Sequence, residues 1–150
     1  MFRVAHAQRL HPQAVLLRIE APEIARRRRA GQFVVVRPDE RGERIPLTIM
    51  DSDPREGTIT LAVQEVGATT RKLGRLKVGD RIADVIGPLG HPTETPRVGE
   101  VACLAGGIGA AEALPVVKAL REAGNRVTAI VGARTHDLLI LEEEMRRAAD

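Results

Sequence analysis

The sequence predicts a β plus α/β architecture: a barrel over residues 1–97, then a partial Rossmann-like parallel α/β domain, its first two βα units, over residues 98–150. Three observations carry this. The first part alternates short apolar runs with Pro- and Gly-marked turns, which suits a six-stranded antiparallel Greek-key barrel. After Pro96 the pattern becomes strand, helix, strand, helix, as in a parallel sheet with crossover helices. The charge changes at the same place. Residues 1–97 hold 17 Lys/Arg against 12 Asp/Glu, whereas residues 98–150 hold 6 against 8.

Each element follows in order. Residues 2–9 and 13–20 are alternating apolar segments split by the turn signal His11-Pro12. Residues 22–25 form a short helical turn, followed by Arg26, Arg27, Arg28 and Arg29, a run that Ala30-Gly31 ends. Residues 32–37 are a Val-rich strand closed by Pro38; a polar turn over 39–43 leads to the strand 45–50. A second polar turn over 51–57 leads to the strand 58–64. Val78-Gly79-Asp80 opens a strand over 81–86 that stops at Gly87-Pro88. Beyond Pro96, residues 100–104 read as a buried strand and 106–109 as a tight turn. A helix over 110–123 is stopped by Gly124-Asn125, and a strand over 127–131 precedes a helix over 137–149. Two parallel strands leave a sheet edge uncovered, which a second copy or a partner could pair with. The pattern is half of a unit, and the chain reads as ending early.

Composition narrows the function. Apolar residues make up 43% of the chain, yet it has two Phe and neither Tyr nor Trp, so the core is built from Val, Ile, Leu and Ala. Without aromatic platforms, nucleic-acid binding by base stacking is disfavoured, and the arginine run reads as a solvated face. No long apolar segment and no signal-peptide pattern is present, so a cytoplasmic protein without membrane contact is expected. The single Cys103 leaves no disulfide framework and no all-cysteine metal or [2Fe–2S] site within these residues; it reads as a small buried hydrophobe. His6, His11, His91 and His136 lie beside turns or polar stretches and are assigned no chemistry, and no metal site is expected.

Two stretches carry chemistry. Arg44-Ile45-Pro46-Leu47-Thr48-Ile49 places a cation, a rigid residue and a hydroxyl at the head of a strand. Ala105-Gly106-Gly107-Ile108-Gly109-Ala110 is a glycine-rich turn between an apolar strand and a helix, where backbone can approach a pyrophosphate and helix N–H groups face it. No P-loop lysine follows, which argues against a nucleoside triphosphatase. Glu112, in the first helical turn, suits the helix dipole but would repel a pyrophosphate if it faced inward. Arg134, past the second parallel strand, stands where an adenosine ribose or its phosphate would lie. Read alone, Thr48 also fits an ordinary strand position, Thr69 and Thr70 fit helix caps, and Arg134 fits plain surface.

Taken together, Gly31-Gln32-Phe33-Val34, Arg44 to Thr48, Val66 to Leu73, Gly87-Pro88-Leu89-Gly90, Ala105 to Gly109 and Gly132-Ala133-Arg134 resemble the ferredoxin–NADP reductase superfamily in order and spacing. Within it the chain is similar to the small electron-transfer subunits of the reduced ferredoxin:NADP oxidoreductase and dihydroorotate dehydrogenase type. The resemblance implies an FAD- and NAD(P)H-dependent flavoprotein oxidoreductase that passes electrons to an iron–sulfur partner such as ferredoxin. Arg44 would neutralise flavin phosphates, Pro46 and Leu47 would pack on the isoalloxazine, Ile45 would belong to the same cofactor-binding strand, and Thr48 would reach the flavin N5 region. Val63, Gln64 and Glu65 match the strand lining the cofactor. Gly67, Ala68, Thr69 and Thr70 match its pyrophosphate turn, and Gly106, Gly107, Ile108 and Gly109 match the pyridine-nucleotide turn. The family's [2Fe–2S] ligands are absent from these residues, and a larger iron–sulfur or flavin subunit is the implied partner. On that reading these 150 residues alone are expected to be inactive. The alternatives are a non-catalytic flavin-binding or regulatory module docking on a larger subunit and, more weakly, a bare barrel that binds nucleic acid.

Overall fold

The computed structural model describes residues 1–150. Seven strands form one antiparallel sheet: β1 (Phe2–His11), β2 (Ala14–Glu20), β3 (Phe33–Arg37), β4 (Ile45–Asp53), β5 (Thr58–Gln64), β6 (Arg81–Ile82) and β7 (Asp84–Leu89), in the spatial order β6-β1-β2-β5-β4-β3-β7. The two ends of that order are consecutive in the chain, separated by Ala83, whose N–H donates to the Pro38 carbonyl at 3.1 Å. The sheet therefore curls until its edges nearly meet, giving a barrel-like wall.

Seven strands replace the six expected because the run 81–86 is two strands on opposite edges. β6 pairs with β1, and β7 pairs with β3. The second of them continues through the cis Gly87-Pro88 bond to Leu89 instead of stopping there. Pro88 is tolerated because β7 is an edge strand, where a missing N–H removes no ladder bond on the outer side. β4 also runs three residues past the expected end, to Asp53.

Alternation sets the barrel's inside. Leu17 and Ile19 on β2, Ile49 on β4, and Ile59, Leu61 and Val63 on β5 are wholly or almost wholly buried in one cluster. Ile24 and Ala25 of α1 (Pro22–Arg27) and Leu73 of α2 (Ala68–Gly74) join it. Each such aliphatic side chain stabilises the fold by about 1.5–3 kcal/mol on area alone. Leu16, Met50 and Ala62 belong to a second cluster with the α/β part.

That part has two parallel strands, β8 (Glu100–Gly106) and β9 (Arg126–Gly132), paired from Glu100↔Arg126 to Gly106↔Gly132. Between the strands and the barrel runs α3 (Gly109–Glu122), which buries Ala110, Ala111, Leu114, Val117 and Leu120. Cys103 is half-buried on the same side, and burial pushes its thiol up. The other sheet face is open: Leu104 is 74% and Ile130 53% exposed.

The helix expected over 137–149 is shorter. A 3-10 turn spans His136–Leu138, and α4 covers Glu142–Ala148. Between them Ile140 and Leu141 are buried in the α3 cluster, and Leu141 takes a left-handed backbone with φ 57°. Packing these two side chains overrides the helical period.

Two polar clamps fix α3. Asn125, buried beyond its end, accepts N–H bonds from Val98 and Gly99 at Oδ1 and donates from Nδ2 to the carbonyls of Pro96 and Leu120. Lys118 donates to Asp51 of β4 at 2.8 Å. Arg28, only 12% exposed, lies 3.6 Å from the same carboxylate and donates to the Met50 carbonyl. Burial pulls the Arg28 guanidinium below its ordinary value, with Asp51 and then Glu122 opposing the shift. No helix is long and apolar enough to cross a membrane.

Candidate functional site

A cleft of about 430 Å³ separates the barrel wall from the first turn of α3. Its barrel side is Phe33 of β3, Pro46, Leu47 and Thr48 of β4, and Ala62 and Gln64 of β5. These positions meet because Phe33 pairs with Thr48, and because residues 62 and 64 point away from the core that residues 61 and 63 fill. Gly31 borders the cleft with φ 86°; a Cβ there would stand 2.1 Å from Thr93 Oγ1, so only glycine fits. Thr70 of α2 closes one end, and Ile108, Ala111 and Glu112 form the opposite wall.

The two motifs read from the sequence are thus brought together, but not every member enters the cleft. Ile45 and Leu47 also pack on the barrel core. Val63 lies wholly within that core. Glu65 is turned to the far side, where it pairs with Arg9 and lies against Gly74. Arg44 stands on the same strand face as Pro46 and Thr48, outside the cleft, and donates to Asp84 at 3.0 Å. Asp84 also accepts from Arg37 at 2.6 Å. The Arg37 hydrogen bond, with the charges of Arg37 and Arg44, holds the Asp84 carboxyl below the usual range. Two guanidiniums to one carboxylate leave this cluster net positive.

At the α2 end, Thr70 Oγ1 accepts the N–H groups of Val66 and Gly67 and donates to the Gly67 carbonyl. Thr69 is buried. The N–H groups of Ala68, Thr69 and Thr70 point out of the helix start with no backbone partner. In the glycine turn, Gly107 has φ 54° and donates its N–H to the Gly132 carbonyl, tying the turn to β9. A Cβ at Gly106, Gly107 or Gly109 would meet no protein atom within 4 Å. Neighbouring protein therefore leaves room for a ligand to come close to this backbone. Arg134 is exposed and has neither a hydrogen bond nor an ion pair from its side chain. No group of three or more His, Cys, Asp or Glu side chains converges as a metal-ligand set.

Phe33, Ala62, Ala111 and Glu112 are cleft residues that the motifs did not single out for binding. The signal for Ala62 was present in the alternation of β5, with Gln64 two residues on. For Ala111 and Glu112 it was the first helical turn after the glycines.

No protein-family model matches the chain. Among curated proteins it is 48% identical over 132 residues to a dihydroorotate dehydrogenase B (NAD(+)) electron transfer subunit homolog of Thermotoga maritima, covering 88% of this chain and 47% of that one. It is 38% identical to the dihydroorotate dehydrogenase B (NAD(+)) electron transfer subunit of Desulforamulus reducens, covering 82% and 48%. The chain thus spans about half the length of the curated relatives it matches. Its structure superposes with a TM-score of 0.96 and 41% identity on the NADH-dependent reduced ferredoxin–NADP oxidoreductase, a structure concerned with flavin-based electron bifurcation, covering 99% of this chain and 54% of that one. Phthalate dioxygenase reductase, at 18% identity and a TM-score of 0.81, shares the fold. Over about half of their length the chain is a homologue of dihydroorotate dehydrogenase B electron transfer subunits, and it has the ferredoxin–NADP reductase fold.

Proposed function

We propose that the chain is the flavin-binding part of an electron-transfer oxidoreductase, with residues 1–97 holding FAD and residues 98–150 beginning the NAD(P)H site. One observation carries this: strand motif and glycine turn, some sixty residues apart, border a single cleft with an apolar floor and polar edges. Bound there, FAD would accept a hydride from NAD(P)H and release electrons singly to an iron–sulfur partner subunit or a ferredoxin-type carrier. Pro46, Leu47 and Phe33 would give the ring an apolar bed, and Thr48 and Gln64 would offer hydrogen bonds at its edge. The N–H groups at the start of α2 and the net charge of Arg37, Arg44 and Asp84 would favour its phosphates. Gly106, Gly107 and Gly109 would let the dinucleotide backbone approach, and Arg134 would meet its far end. We also read the long link from β2 to β3 as the return of a Greek key.

The test is to load FAD into a form of the chain extended to the full length of its relatives, mix it anaerobically with NADH or NADPH, and follow flavin bleaching. Thr48→Val should keep FAD bound while changing the bleaching rate. Loss of FAD from that variant, with unchanged chemistry in the remainder, would contradict the role given to Thr48.

A further inference from the structure

Among the residues bordering the cleft, Glu112 is the one ionisable side chain. It takes part in no ion pair and no side-chain hydrogen bond, unlike Glu65 with Arg9 or Asp51 with Lys118. Its position on α3 gives this lone charge a consequence. The N-terminus of a helix presents about half a positive elementary charge, which would stabilise any negative charge arising in front of it. The Glu112 carboxylate, exposed to solvent at the cleft rim, opposes that half charge in the field that α3 casts on the cleft. Thr48, Gln64 and Thr70 are neutral; Arg44 is tied to Asp84 and Lys72 to Asp39, and the unpaired Arg71 does not border the cleft.

Resting on the flavin reading above, we propose that Glu112 is a tuning residue that disfavours the reduced flavin and so makes it a stronger electron donor. The chemistry is balanced simply. Reduction adds two electrons and one proton, delivered together as a hydride from a nicotinamide, and leaves the ring with one more negative charge than before. A carboxylate facing the ring across the cleft raises the free energy of that product more than of the neutral oxidised ring.

The experiment measures the midpoint potential of FAD bound to the full chain by equilibration with a reference dye, using dithionite as reductant. Wild type, Glu112→Gln and Glu122→Gln are compared, the last being a carboxylate at the other end of α3 that borders a different cavity. Glu112→Gln should shift the potential to more positive values, equivalent to an about tenfold gain in affinity for reduced over oxidised FAD. The shift should shrink as salt is raised, and Glu122→Gln should leave the potential at the wild-type value. If both variants bind FAD with the wild-type potential, this inference fails and the flavin reading survives. If wild type binds no FAD, both fall together.

Discussion

In the barrel, β2, β4 and β5 bury one face against each other's side chains and lend part of the other face to α3. In the parallel layer, β8 and β9 have α3 on one face and leave Leu104 and Ile130 in the open on the other. An antiparallel sheet that curls on itself supplies both walls of its own core, whereas a parallel pair needs a layer on each side. The difference locates the rigid reference of the site. Pro46, Thr48 and Gln64 sit on a wall whose back is a closed aliphatic core, and the turn of α3 is held against that wall by Leu16, Met50, Lys118 and Asp51. The cleft takes its shape from the barrel.

The barrel is most sensitive to change from inside. Leu61→Ala removes a buried side chain at the centre of β5 and should cost about 2–5 kcal/mol, read as a lowered urea midpoint. A loss under about 1 kcal/mol would mean that the barrel is not the stable half.

A smaller effect is expected on the barrel's outer face. The Asp84 carboxyl lies below its ordinary range through Arg37 and then Arg44. Its contribution is therefore complete above the ordinary carboxylate range and disappears as pH falls through the lowered value. Asp84→Asn should reduce the urea midpoint at neutral pH, and the gap to wild type should close on acidification. A gap that widens in acid would reverse the assigned sign. The smallest effect belongs to the open face: Leu104→Ser should change stability by no more than about 0.5 kcal/mol. A large loss there would show that this face is covered in solution.

Much of this was legible in the residues. Turn chemistry and alternation placed β2, β3 and β5 almost to the residue, and the change of period after Pro96 gave β8, α3 and β9. The misplacements have physical causes. Ala83 divides one apolar run between the two opposite edges of the sheet order, a closure that no local period encodes. Ile140 and Leu141 leave the helical pattern because α3 offers them a buried site. Part of the candidate cleft was equally readable, since Pro46, Thr48, Gln64, Thr70 and Ile108 do converge. Glu65 and Val63 were not assignable to a direction until the facing of β5 was fixed, and the pairing of Arg44 with Asp84 joins residues 40 apart.

The proposed placement of the flavin ring in the cleft between β4 and α3 is read out by an equilibrium titration with FAD, followed by quenching of flavin fluorescence. Wild type should bind one FAD per chain. Thr48→Trp, which fills the cleft from the rigid barrel wall, should abolish that binding while far-UV circular dichroism stays at the wild-type level. Undiminished FAD binding by the folded Thr48→Trp chain would place the flavin elsewhere and contradict the account.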